Sequence, residues 1–191
     1  MSQSSVKLPV RARSRSVTMR RGTPADAEAL YSLISTHQAE GHLLPRDLDE
    51  IRRRASRFVV GEAGGHLQAC AELAPLSGTV AEVRSLVVSR SARGKGLGTR
   101  LVEELRCRAI EAGHATLTAF THDPRFFVQR GFSMVPHQWV PEKIARDCAV
   151  CPLFRRCGQH AMVLALHAKR EIVRYGTRRI EAVADHRVAV A

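Results

Sequence analysis

The sequence predicts an α/β fold, a mixed β-sheet flanked by helices, and three observations carry that prediction. A β-branched apolar run, Val80 to Val88, leads into the glycine-rich turn Arg93-Gly94-Lys95-Gly96-Leu97-Gly98. A helical stripe, Leu97, Leu101, Leu105 and Ala109, begins inside that turn, and a strand signal, Thr116 to Phe120, follows it. A strand, helix, strand order implies a parallel pair, whereas short turns between the preceding strands imply an antiparallel meander, so the sheet is mixed.

Residues 1–16 are rich in Ser and basic side chains, show no sustained period, and read as a flexible basic leader. Val17 to Arg20 is a short strand. Thr23-Pro24-Ala25-Asp26 supplies a capping Thr, a Pro at the first helical position and an acid in the first turn. Ala27, Leu30 and Ile34 then mark a helix to about His37. After a turn at Gly41 to Pro45, the residues Leu48, Ile51 and Ala55 define a second helix whose outer face carries Arg52, Arg53 and Arg54.

Strands follow at Phe58 to Val60, Leu67 to Leu73 and Val80 to Val88, separated by glycine or proline turns. The helix from Leu97 to Ala112 stops at Gly113, where a left-handed cap is expected. A brief helix at Pro124 to Arg130, a strand from Phe132 and a last strand at Met162 to Leu166 complete the sheet. One domain is expected over 17–166, with 167–191 as a C-terminal extension, helical or disordered.

The net charge of +12 favours an anionic partner. Much of it lies in the two ends, at Lys7, Arg11, Arg13 and Arg15 and from Lys169 to Arg187, where solvated tails account for it. Aromatic residues are only 5% and do not interleave with basic stretches, which argues against a nucleic-acid platform. No segment approaches the roughly 18 apolar residues of a membrane span, and Met1 to Val17 lacks the apolar centre of a secretory signal. The expectation is a cytoplasmic protein that engages neither membrane nor nucleic acid. Its five cysteines suit reduced thiols better than a disulfide framework.

The glycine turn that opens a helix is suited to a phosphate group. Glycines let backbone approach an anion, successive N–H groups point inward, and the helix N-terminus adds positive partial charge. It lacks the G-K-[ST] ending of a P-loop and the acidic residue that closes a dinucleotide-binding unit. The plain alternative is a strand-to-helix turn with no ligand.

Arg93 to Gly98 fits R-x-x-G-x-G, and this resembles the pyrophosphate loop of acetyltransferases of the GNAT superfamily. Leu86-Val87-Val88 is similar to that superfamily's central strand, and Phe126-Phe127 with Gly131-Phe132 resembles its F-[FY]-x-x-x-G-F element. The resemblance implies a GNAT-like fold with acetyl-CoA as co-substrate. It places the donor on Leu86, Val87, Val88, Arg93, Gly94, Lys95, Gly96, Leu97, Gly98, Thr99, Phe126 and Phe127.

Further segments resemble the short form of the N-acetylglutamate synthase family: Gly41-His42-Leu43-Leu44-Pro45-Arg46, Ala81-Glu82-Val83-Arg84-Ser85-Leu86, and Pro141-Glu142-Lys143-Ile144 leading to Asp147-Cys148. This implies acetyl transfer from acetyl-CoA to the α-amino group of L-glutamate, the entry to arginine biosynthesis, by direct attack in a ternary complex.

That chemistry needs a base for the α-ammonium, donors for the carbonyl oxygen and stabilisation of the leaving thiolate. Glu82 is the expected base, with Glu72 on the preceding strand as the alternative. Read plainly, Glu82 is a strand glutamate paired to a basic neighbour. Arg84 shares the facing of Glu82 and is the expected carboxylate clamp, joined by Arg46 and Lys143. Backbone N–H groups of Leu86 to Val88 would meet the carbonyl oxygen where the strand splays. At the position where many relatives carry a tyrosine acid stands Phe127, which has no proton to give.

Cys148, Cys151, Cys157 and His160 form C-x2-C-x5-C-x2-H, a set able to wrap one metal, yet structural thiols are the favoured reading and no metal is assigned. The rivals to glutamate are another amino acid or small amine, a non-catalytic acetyl-CoA sensor, and a basic nucleic-acid module. A polyamine or protein-lysine acceptor would call for acidic residues beside the motif, and none cluster there. A homodimer stays open.

Overall fold

The computed structural model describes residues 16–38, 43 and 45–166. The expected leader, Ser16 aside, and the expected extension lie outside the described residues, as do Gly41, His42 and Leu44. Among the described residues the sheet has seven strands: β1 Thr18–Arg21, β2 Phe58–Ala63, β3 His66–Pro75, β4 Val80–Val88, β5 Thr116–Thr121, β6 Ser133–Val135 and β7 His160–Ala165. Their order is β1-β2-β3-β4-β5-β7-β6. Only β4 and β5 run parallel, joined through the helix between them; the other neighbours are antiparallel. The expected mixed sheet is therefore what forms.

The hairpin between β2 and β3 turns on Gly64 and Gly65, both with positive φ, so a two-residue turn matches the strand twist. Alternate residues divide the sheet into two faces. Phe58, Val60, Cys70 and Val87 pack beneath α1 (Ala27–Gln38) and α2 (Leu48–Arg54), which contribute Leu30, Ile34 and Ile51. Val59, Ala71, Val83, Leu117 and Met162 pack beneath α3 (Leu97–Glu111), which contributes Leu97, Leu101, Val102, Leu105 and Ala109. Each fully buried aliphatic side chain adds about 1.5–3 kcal/mol, so both faces hold the layers together.

Local chemistry fixes the helix ends. The Thr23 N–H donates to Asp26 Oδ2 at 2.7 Å ahead of α1, and the Asp47 side chain accepts from the Glu50 N–H at the start of α2. Ala112 caps α3 and Gly113 leaves in the left-handed region, φ 81°, as its position predicts.

Several bounds differ from expectation. The helix expected over Pro124 to Arg130 is the single turn α4, Arg125–Val128, because Gly131 turns the chain at φ 83°. The sixth strand starts at Ser133, and the last begins at His160 and ends at Ala165. A fifth helix, α5 Pro141–Arg146, was not expected, although Pro141 at its start, Glu142 in its first turn and Lys143 and Arg146 in its last are ordinary helix signals. No helix of the described residues is long and apolar enough to cross a membrane.

Candidate active site

The central strand loses its parallel neighbour half-way along. Pairing between β4 and β5 runs from Val80 with Thr116 to Val83 with Ala119 and stops there, although both strands continue. On its other edge β4 stays paired to β3, with a register shift: Glu72 lies opposite Arg84, but Cys70 lies opposite Val87. One extra residue is therefore accommodated in β4. Ser85 carries the strain of that bulge at φ 48°, the only positive φ of a non-glycine residue among the described residues. Beyond the bulge, the β4 edge toward β5 has backbone groups outside any strand ladder, which matches the expected splay at Leu86 to Val88.

The glycine turn sits at the end of this opening. Gly94 and Gly96 adopt φ of 75° and 73°, and Gly96 caps α3 in the left-handed region, so both positions need glycine. The first N–H groups of α3 have no intrahelical acceptor by construction and point out of the helix start. A cavity of about 310 Å³ lies there, lined by Val88, Arg93, Gly94, Gly96, Gly98 and Phe126 among others. A Cβ on Gly98 would come within 3.2 Å of the Phe126 ring, so the bare glycine lets that ring lie against the helix.

Leu97 and Thr99 also line the cavity. Lys95 does not, its Nζ donating to the Ser91 carbonyl at 3.0 Å. Leu86, partly buried, packs toward α3, and Val87, buried, toward α1. Phe127, also expected along the donor, is placed differently from Phe126. It is 6% exposed and meets Phe126 and Phe132 edge-on in the core, while Phe126 alone faces the cavity.

Arg130 was missed by the sequence reading. Its guanidinium lies 3.5 Å from the Phe126 ring centroid, donates to the Phe126 carbonyl and to Thr99 Oγ1, and lines the same cavity. Burial holds its pKa below the ordinary arginine value. The available signal was its spacing four residues after Phe126, one helical turn away.

On the α1/α2 face of the bulge the structure gathers Arg46, Arg84, Lys143, Glu72 and Glu82. Glu82 is buried, and its carboxylate accepts from Arg84 Nε at 2.6 Å and from Lys143 Nζ at 2.8 and 3.0 Å. Asp147, also missed, joins them: Lys143 Nζ lies 2.9 Å from it and Arg84 donates to it. Burial opposes the charge of Arg84, but Glu82, Asp147 and Glu72 outweigh it and hold the guanidinium above its ordinary pKa. Burial likewise opposes ionisation of Asp147, and Lys143 and Arg84 outweigh that, keeping its carboxyl below the usual range.

Arg46 reaches the same place from the start of α2. It donates to Ser85 Oγ at 2.8 Å, to Glu72 Oε2 at 2.9 Å and to both Glu50 oxygens at 3.3 Å. The positive side chains expected to hold a dicarboxylate are thus together, each already countered by an acid of the protein. Cys148 and Cys151 are half-buried and Cys157 exposed, and among the described residues no three His, Cys, Asp or Glu side chains are placed to hold a metal.

Residues 26–132, more than half the chain, match the model of the acetyltransferase (GNAT) family. An uncharacterised N-acetyltransferase of Chlorobaculum tepidum is 32% identical over 148 residues, covering 78% of this chain and 96% of that protein. The amino-acid acetyltransferase of Pseudomonas putida is 33% identical over 117 residues, 60% of this chain. This chain spans only 27% of that enzyme. Among solved structures, N-acetylglutamate synthase from Neisseria gonorrhoeae, complexed with coenzyme A and N-acetyl-glutamate, superposes with a TM-score of 0.72 at 26% identity, over 82% of this chain and 36% of that one. A Mycobacterium tuberculosis protein solved with coenzyme A shares the fold, with a TM-score of 0.69 at 22% identity over 78% of this chain and 99% of that one. The splayed central strand, the glycine cradle and these likenesses agree, and the chain belongs to the GNAT family as an N-acetyltransferase.

Proposed function

We propose that this enzyme transfers the acetyl group of acetyl-CoA to the α-amino group of L-glutamate, giving N-acetyl-L-glutamate and CoA. The observation that carries the acceptor is the convergence of Arg84, Lys143 and Arg46 on one side of the β4 bulge, with the donor cavity at the far end of the same strand. A dicarboxylate needs more than one cation, and these are the cations at hand.

The donor's pyrophosphate would rest on the N–H groups of the Gly94–Gly98 turn, with Phe126 and Arg130 along its side. Its thioester carbonyl would find donors on the free β4 edge near Leu86 to Val88, where developing negative charge is stabilised without a side chain. Glu82 is the base in this reading. Its present partners, Arg84 and Lys143, are the groups that substrate carboxylates would recruit, and their transfer to the substrate frees its lone pairs for the amine proton. No side chain acid stands at Phe127, so the thiolate leaves with help from backbone dipoles and water.

The enzyme's likeness to an amino-acid acetyltransferase and to N-acetylglutamate synthase supports an amino-acid acceptor. CoA release measured with a panel of L-amino acids and polyamines tests the assignment. Turnover highest with L-glutamate is the expected result, and turnover confined to another amine overturns it.

A further inference from the structure

Among the described residues one buried carboxylate oxygen has no partner, Oε1 of Glu72. Glu72 is fully buried on β3. Its other oxygen is locked by Arg46, and Arg46 is held in turn by Ser85 and Glu50. The nearest further cation by register, Arg84 directly across on β4, is drawn instead to Glu82 and Asp147. A buried carboxylate oxygen facing no donor is unfavourable, and such groups are found where a ligand completes the set.

The location narrows the ligand. Glu72 lies opposite the β4 bulge, on the same sheet face as Glu82, where the strand opens toward the donor. The missing partner must donate a hydrogen bond and be small enough to reach an enclosed oxygen, and a positive charge is favoured beside a carboxylate. A primary ammonium fits; a carboxylate or a second guanidinium does not. We infer that Glu72 Oε1 is the seat of the acceptor's α-ammonium, a role that rests on the amino-acid reading above.

An ammonium carries three protons. One, donated to Glu72, fixes the nitrogen; a second passes to Glu82, and the freed lone pair forms the N–C bond to the acyl carbon as the C–S bond breaks. The sulfur leaves with the C–S bonding pair as thiolate and takes up, through water, the further proton that the acylated nitrogen must lose, giving the neutral amide and CoA. Glu72 therefore sets where the amine sits and Glu82 when it reacts.

The test compares L-glutamate with glutarate, which has both carboxylates and no amine, by binding to the CoA-loaded enzyme. Wild type should bind glutamate about tenfold more tightly or better, and Glu72→Gln should bring the ratio to about one while CoA affinity stays unchanged. Glu82→Gln should keep the ratio and lose turnover. An independent measurement needs no variant: 15N-labelled glutamate on the CoA-loaded wild type should show an ammonium harder to deprotonate than in free glutamate. An unchanged ratio in Glu72→Gln, or an unshifted ammonium, overturns the inference while leaving the glutamate assignment standing. If another amine is the acceptor, that amine and its des-amino analogue replace the pair. If no amine is acetylated, the functional reading and this inference fall together.

Discussion

Glu72 and Arg84 face each other across the β3/β4 ladder, yet neither takes the other as its ion partner: Glu72 is bound by Arg46, and Arg84 by Glu82 and Asp147. Removing Arg84 leaves Lys143 as the cation against both Glu82 and Asp147. On the proposed glutamate reading, Arg84→Ala should lower kcat/KM for glutamate by about 10–100-fold, roughly 1.4–2.8 kcal/mol, with KM for acetyl-CoA nearly unchanged. Steady-state kinetics with each substrate varied in turn checks both halves of the statement.

The donor side responds to a different change. Gly98→Ala puts a methyl group 3.2 Å from the Phe126 ring, which must turn toward the cavity it borders. KM for acetyl-CoA should rise severalfold while glutamate KM holds. A variant with normal acetyl-CoA KM would show that the ring does not border the donor.

Asp147 gives the cluster a pH signature. Its folded pKa lies below the ordinary carboxylate value of about 3.9, so its stabilising contribution is complete above that value and disappears as pH falls through the lower, folded one. Asp147→Asn should melt below wild type at neutral pH, and the gap should persist at pH ~4 and close only in stronger acid. Thermal melts across pH decide.

At the start of α1, Asp26 accepts from the Thr23 N–H and is clasped by both terminal nitrogens of Arg20 at 2.7 and 2.8 Å. Arg20 holds its carboxyl far below the usual range. Asp26→Ala should cost about 1–2 kcal/mol, read by denaturant unfolding, with little effect on turnover.

The thiols should sort by burial. Burial pushes Cys70 up to about 12, whereas Cys107 and Cys157 are exposed. An alkylating reagent at pH 8 should label Cys107 and Cys157 in the native protein and Cys70 only after unfolding, as mass mapping would read.

Local signals made much of this legible from sequence. The stripes of α1 and α3, the left-handed stop at Gly113 and the glycine cradle follow from spacing and residue type alone. The convergence of Arg46, Glu82, Arg84 and Lys143 was anticipated through family likeness. Of their pairings only that of Glu82 with Arg84 was anticipated; the others depend on which acids three distant segments bring along: Glu50 beside Arg46, and Asp147 one helical turn after Lys143. Glu72 reads in the sequence as an acid in an apolar run. Only the bulge at Ser85, a tertiary event, gives it a place. Phe126 and Phe127 look alike in sequence, and only the short turn that carries them decides which faces the cavity.

The sheet is held at its centre by four residue pairs between β4 and β5, with antiparallel leaves on either side. Mechanically this is a seam. The leaf built from β1 to β4 and the leaf built from β5 to β7 share only those backbone pairs, and the side-chain core beneath α3, with Val83 from one leaf and Leu117 and Met162 from the other, bridges them. Amide exchange at Val83 and Ala119, on this seam, should outpace that at Val60 and Cys70, deep in the first leaf.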